Sequence, residues 1–271
     1  MPHWAQRPPP IGNRNRSEAE GARCETAGVE NHFDGWVAEH YDETSATMFD
    51  PALLDRTSRF LADRSEGDAL EFALGTGRVA LPLAEKGIRV EGIEFSAAMI
   101  ERFRAKPGSE SIPVAHGDMT TVRLDRTFSL VYLVWNTISN LVTQDAQVAC
   151  FENAAAHLRP GGRFVLELWV PDLRRMLPGE QHLLCDVSER HIGIDEIDTA
   201  TQTGTSHHYW TTDGRIHHAT TPWRYCWPAE LDLMARLAGM DLVERWADWE
   251  CTPFTGNSAS HVSVWQISRG R

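Results

Sequence analysis

No stretch of this 271-residue chain holds the roughly 20 consecutive apolar residues that a membrane-crossing helix needs, and its N-terminus lacks the apolar core of a secretion signal. The expectation is a cytoplasmic protein with no membrane partner. Net positive charge is also missing. A formal charge of −12 argues against a general nucleic-acid binder, whose affinity comes from neutralising phosphates with Lys and Arg. Cysteine is sparse and unpatterned: the five, Cys24, Cys150, Cys185, Cys226 and Cys251, are widely scattered with no Cys-x-x-Cys spacing. They read as reduced thiols rather than a disulfide or zinc framework. The run from Met1 to about Val29 has no sustained apolar period and is rich in Pro, Arg, Asn, Gly and Glu, which reads as a flexible leader.

What the chain does have is an apolar strand that ends in small residues and turns at once into a helix, over Glu71-Phe72-Ala73-Leu74-Gly75-Thr76-Gly77-Arg78. Gly75 and Gly77 let the backbone approach a ligand closely, and a helix start offers unpaired N–H groups, so the run reads as a nucleotide-type site. The next strand, Ile88 to Glu94, ends in an acid that can accept hydrogen bonds from vicinal ribose hydroxyls. Ser96 caps a helix over Ser96–Lys106. A third unit, Ile112 to Met119, ends in Gly117-Asp118-Met119, where Asp118 suits an adenine amino group and Met119 can pack on a purine face. A strand-end carboxylate is usually a turn or cap residue, yet three successive strand ends bearing Gly-Thr-Gly, Glu and Asp make a pattern.

That pattern resembles the class I S-adenosylmethionine-dependent methyltransferases, over roughly Phe33 to the C-terminus. Leu158-Arg159-Pro160-Gly161-Gly162-Arg163-Phe164-Val165 resembles the helix-turn-strand before that family's fifth strand. The resemblance implies S-adenosyl-L-methionine as cofactor, held by Tyr41, Glu71, Ala73, Gly75, Gly77, Glu94, Phe95, Asp118, Met119 and Trp135. Ala73 departs from the family by replacing its usual first glycine, and the added methyl group is expected to crowd the methionine end only slightly. Tyr41-Asp42, Gly92-Ile93-Glu94-Phe95-Ser96 and Gly117-Asp118-Met119 are similar to the amino-sugar N-methyltransferase branch, in which a Tyr-Asp pair sits over the cofactor. There Asn140 stands where a histidine is common; it can orient an acceptor but cannot take a proton. The near-continuously apolar strand Ser129–Trp135 reads as central and buried on both faces, so its end is the floor of the site. Trp135-Asn136-Thr137-Ile138-Ser139-Asn140 is not the Asn/Asp-Pro-Pro-Tyr/Phe of base-modifying methyltransferases, and no carboxylate cluster for a metal is evident, so no metal is expected.

The expected fold is α/β: a Rossmann-like seven-stranded, mostly parallel sheet with helices on both faces, plus an antiparallel β-rich cap inserted after the fifth strand. Expected divisions are 1–30 a flexible leader, 31–66 an N-terminal helical lid, 67–170 the S-adenosylmethionine-binding core, 171–225 the substrate cap and 226–271 the rest of the core. Asp50 and Pro51 open a helix as N-cap and first residue. Asp213-Gly214 is a hairpin signal that sets Trp210 against His217 and Tyr209 against His218, with His208 on the Trp210 face and His207 on the Tyr209 face. His207, His208, His217 and His218, with Tyr41 and Asn140, are therefore the candidate catalytic residues. Asn136, Trp169, Tyr209 and Trp210 are the candidate acceptor contacts. These expectations describe a monomer or homodimer that methylates a hydroxyl or amine of a small-molecule acceptor, such as a natural product, without a nucleic-acid partner. A nicotinamide-dependent oxidoreductase and a non-catalytic S-adenosylmethionine sensor stay open at this stage.

Overall fold

A computed structural model describes residues 35–212 and 214–267. The leader, Phe33, Asp34 and Asp213 lie outside the described residues. The described chain opens with helices α1 (Trp36–Thr44) and α2 (Pro51–Ala62). Strand β1 (Asp68–Phe72), helix α3 (Ala80–Glu85), strand β2 (Arg89–Glu94), helix α4 (Ala97–Arg104) and strand β3 (Val114–His116) follow. Next come strand β4 (Phe128–Leu133), helix α5 (Gln144–Ala156) and strand β5 (Leu158–Trp169). Four strands then form a separate sheet: β6 (His182–Val187), β7 (His191–Asp198), β8 (Thr203–Thr212) and β9 (Arg215–Arg224). Helix α6 (Pro228–Leu237) and strands β10 (Met240–Trp246) and β11 (Ser260–Ile267) close the fold.

The main sheet has seven strands in the order β10-β11-β5-β4-β1-β2-β3. Strands β1 to β5 run parallel; β11 is antiparallel to both β5 and β10, so the sheet does not resume in parallel after the cap. β1 and β4 are buried along their whole length, as strands covered on both faces must be. One face packs Leu70, Phe72, Leu133, Phe151, Phe164 and Trp265; the other packs Phe60, Leu61, Phe103, Tyr132, Val165 and Trp249. The predicted caps form: Asp50 and Ser96 accept from Leu53 N–H and Met99 N–H, at 3.1 and 3.2 Å. Two boundaries differ from expectation. The helix after the glycine loop starts only at Ala80, because positive φ at Gly75 and Gly77 delays helical backbone. β5 begins at Leu158, so Pro160 to Gly162 lie within the strand, where its pairing with β4 shifts register.

Candidate active site

The C-terminal ends of β1 and β4 open onto a cavity lined by Tyr41, Glu71, Ala73, Gly75, Thr76, Arg78, Val134, Trp135 and Thr137 among others. The loop that forms one wall is wound left-handed at Ala73 (φ +51°), Gly75 (+61°) and Gly77 (+78°). A Cβ at Gly77 would meet the Phe103 ring at 2.4 Å, so only glycine lets the loop lie on α4. Glu94 ties the loop to the next strand end: one carboxylate oxygen accepts Gly75 N–H and the other accepts Ser96 N–H, both at 2.7 Å. Each oxygen keeps a lone pair for a further donor. Burial raises the Glu94 carboxyl above its ordinary pKa, against the lowering effect of these amides.

Glu71 is fully enclosed beneath the cavity and accepts Tyr132 O–H at 3.0 Å. Burial pushes its carboxyl up to about 8, although Tyr132 and the Arg78 guanidinium pull the other way. Arg78 supplies the positive charge among the described lining residues; it donates to Met48 C=O at 3.2 Å and lies 5.5 Å from the Trp135 ring centre. Asp42 locks α1 over the loop, accepting Thr76 O–H at 2.7 Å and Lys106 Nζ at 2.5 Å. The floor is a turn in which Trp135 and Asn136 both take left-handed φ, +56° and +59°. Trp135 N–H donates to the Glu167 carboxylate at 2.9 Å, and Asn136 Oδ1 accepts Trp169 N–H at 2.7 Å.

Beyond Trp169 the four-stranded sheet begins. Trp223 stands edge-on to Trp169 at 5.6 Å and donates through Nε1 to Ser206 Oγ at 2.8 Å, which in turn donates to Asp195 at 2.5 Å. The register sets Tyr209 against His218 and Trp210 against His217, as expected. Period-two alternation then puts Trp223, Ser206, His208, Trp210 and His217 on one face of this sheet. On that face Asp186 bonds His191 Nδ1 at 2.6 Å, and His191 Nε2 meets His208 Nδ1 at 3.0 Å, with the His191, His208 and Trp210 rings stacked. His207, Tyr209 and His218 stack on the opposite face, where Tyr209 and His218 are exposed.

A family model described as "Methyltransferase domain" matches residues 69–162. The solved CcbJ methyltransferase from Streptomyces caelestis is 33% identical, with 86% of this chain and 96% of that chain covered at a TM-score of 0.77. The chain belongs to the class I S-adenosylmethionine-dependent methyltransferases. A cypemycin N-terminal methyltransferase from a Streptomyces species is 26% identical over 86% of this chain and 96% of its own. A dTDP-3-amino-3,6-dideoxy-alpha-D-glucopyranose N,N-dimethyltransferase from Streptomyces fradiae is 33% identical over 53% of this chain and 57% of its own. S-adenosylmethionine is the methyltransferase's cofactor, and the oxidoreductase and sensor alternatives fall away.

The expected cofactor residues Tyr41, Glu71, Ala73, Gly75 and Trp135 converge on the methyltransferase's cavity. Gly77 shapes the same loop and Glu94 braces it. Phe95 is exposed and is not among the described lining residues, and its carbonyl is taken by the His116 ring at 2.9 Å. Asp118 spends one oxygen on Thr120 N–H at 2.7 Å, and Met119 is packed in the core at 8% exposure. Asn140 is exposed and does not line the cavity; Thr137, one turn earlier in a 3₁₀ helix, does, so the position matched by resemblance faces outward. Tyr209 and Trp210 point to opposite faces of the second sheet and cannot share one wall, and the four cap histidines divide in the same way. Sequence reasoning gave no role to Arg78 or Glu167, and it did not foresee that Asp42 and Thr76 bond each other. Arg78 follows the glycine pair directly, and a lone cation beside an anion-ready loop was the available signal.

Proposed function

We propose that this methyltransferase transfers the methyl group to an amine of a small natural product, either an amino sugar or the N-terminus of a small peptide. The observation that carries the reading is the likeness, along 86% of this chain, to an N-terminal methyltransferase; the described lining of the cavity also holds no histidine. A neutral amine attacks without a base, whereas an alcohol needs one within reach. The names of the relatives, an N-terminal methyltransferase and an amino-sugar N,N-dimethyltransferase, support the same choice.

The residues present fit the cofactor. Gly75 lines the cavity with backbone alone, Glu94 has lone pairs for the ribose hydroxyls, and Arg78 faces the cavity for a carboxylate. Asp118 and Met119 stand at the third strand end for the adenine. The bound cofactor supplies an electrophilic sulfonium carbon. The protein's part is alignment: Tyr41 closes the cavity from α1, Trp135 forms its floor, and Asn136 and Trp169 lead towards the acceptor side. Such positioning can contribute about 7–11 kcal/mol. We assign residues 31–66 as lid and 171–225 as acceptor cap on the same grounds.

Glu94→Ala should weaken S-adenosylhomocysteine binding by about 1.5–3 kcal/mol in titration calorimetry. An unchanged affinity in folded protein removes Glu94 from the site. Turnover of amino-sugar nucleotides and peptide amines, set against hydroxyl analogues of the same shape, tests the acceptor; methylation of the hydroxyl series alone overturns the amine reading.

One observation favours a second reading, transfer to a hydroxyl. Asp186 orients His191 and His191 orients His208, a carboxylate-led chain that fixes tautomers and makes His208 a competent base. Under that reading His208→Gln and His191→Gln lower turnover by about 10²–10⁴-fold, while His207→Gln and His218→Gln leave it near wild type.

A further inference from the structure

Trp135 and Asn136 are consecutive non-glycine residues with positive φ, and Trp135 is bulky. Left-handed backbone is uncommon outside glycine and strained for a bulky residue such as Trp135, and it persists only where the surroundings over-determine it. Here the surroundings are one short piece of β5. The Glu167 carboxylate accepts Trp135 N–H at 2.9 Å, the Glu167 carbonyl accepts Asn136 N–H at 3.2 Å, and Trp169 N–H closes on Asn136 Oδ1 at 2.7 Å. The second carboxylate oxygen of Glu167 accepts Trp249 Nε1–H at 2.8 Å; that ring is buried edge-on against Phe60. Glu167 alternates with Leu166 and Leu168 of the opposite core, so it shares a sheet face with Val165 and Trp249. Burial raises its carboxyl above the ordinary range, against Trp135, Trp249 and the charge of Arg78. A carboxylate kept at that cost, with both oxygens on tryptophan N–H groups, needs a reason.

We propose that Glu167 is a positioning residue for methyl transfer, holding the strained Trp135–Asn136 turn so that the Trp135 ring stays in the wall of the cofactor cavity beside Arg78. The proposal rests on the reading of that cavity as the cofactor site. It assigns no proton transfer to Glu167, whose two oxygens are engaged by the turn and by Trp249.

A double-mutant cycle on S-adenosylhomocysteine affinity tests it, with calorimetry on the full chain as wild type, Glu167→Gln, Trp135→Ala and the pair. The glutamine keeps one acceptor oxygen and turns an NH₂ group towards a donor, so one tie is lost. Each single change should weaken binding by about fivefold or more, and the pair should be no weaker than Trp135→Ala within about twofold, because Glu167 acts through that ring. Trp249→Phe removes the other donor; it should lower the melting temperature and leave affinity within about twofold. Additive effects of Glu167→Gln and Trp135→Ala, or a Trp249→Phe protein as weak as Glu167→Gln, would show general support of the fold and overturn the proposal. If Glu167→Gln does not fold, Glu167→Asp, which keeps the charge but shortens the reach, replaces it in the cycle with the same expected outcomes. Failure of the wild type to bind overturns the cavity assignment and this proposal with it, whereas binding by the wild type with no loss in Glu167→Gln overturns this proposal alone.

Discussion

Ala73 holds φ at +51°, so it carries a cost in the backbone itself. Left-handed backbone costs an L-residue about 1–2 kcal/mol, partly offset by the extra freedom a glycine loses on folding. Ala73→Gly should therefore stabilise the protein by about 0.5–1 kcal/mol, seen as a higher melting temperature. A lower one would mean the methyl group packs usefully. Glu71 gives a second prediction at this scale. Its folded pKa of about 8 lies above its ordinary value of 4.5, so the folded state binds the proton more tightly. Its contribution is then fully favourable below the ordinary value and is lost as pH rises towards 8. Glu71→Gln has no such loss; its melting temperature should gain on the wild type from pH 5 to 8 and level off above. Parallel curves would refute a buried, proton-holding Glu71. Gly75, Gly77 and Glu94 were legible because residue type and strand-end position together limit what they can do. Trp135 and Asn136 were not, since nothing in an apolar strand announces that its exit will be left-handed.

Among the described residues, Asp42 ties helix α1 to the glycine loop. Asp42 reaches both Thr76 O–H and Lys106 Nζ, and it is 41% exposed, which limits each contact to about 1 kcal/mol. Asp42→Ala should weaken S-adenosylhomocysteine binding by about three- to tenfold and speed amide exchange in Trp36–Thr44 above all other helices. Unchanged exchange there would mean that α1 is fixed by packing. Local chemistry made several elements legible. Asp50-Pro51 and Ser96 mark helix starts because a cap oxygen must answer orphan N–H groups, and the hairpin at 213–214 fixes its register because one turn sets every later pair. Strand direction after the cap was hidden: β10 and β11 alternate as any strand does, and only the path back along the sheet makes them antiparallel.

At the scale of the whole molecule, the second sheet is anchored to the first by Arg224. The guanidinium is 4% exposed and pairs with Glu230 at 2.7 Å and Gln202 at 3.2 Å, and it also reaches Gln147. Burial alone would raise the Glu230 carboxyl, but hydrogen bonds from Arg224, Gln144 and Gln202 bring it below its usual value. The pairing thus stabilises the fold above the ordinary carboxylate range and is lost as pH falls through the lowered one. Arg224→Ala strands Glu230 and Gln147 and should cost about 3–5 kcal/mol, with protease cleavage appearing within 182–224 before the main sheet opens. Resistance of that segment would locate the anchor elsewhere. The two-sheet plan itself was readable from the change of period after Val170; the anchor was not, because its partners come from α5, α6 and the β7–β8 connection.

On the reading of the cavity as the cofactor site, the buried acid that lines it would couple methyl-donor binding to the solvent. Near neutral pH Glu71 holds its proton, and the positive charge of a bound sulfonium would favour its ionised form where the neutral thioether product would not. Uptake of the substrate should then release a fraction of a proton to solvent, and Glu71 takes it back from solvent once methyl transfer has left the neutral thioether. Calorimetric heats for the two ligands, measured in buffers of different ionisation enthalpy, will diverge for S-adenosylmethionine and coincide for S-adenosylhomocysteine, and the divergence will vanish in Glu71→Gln.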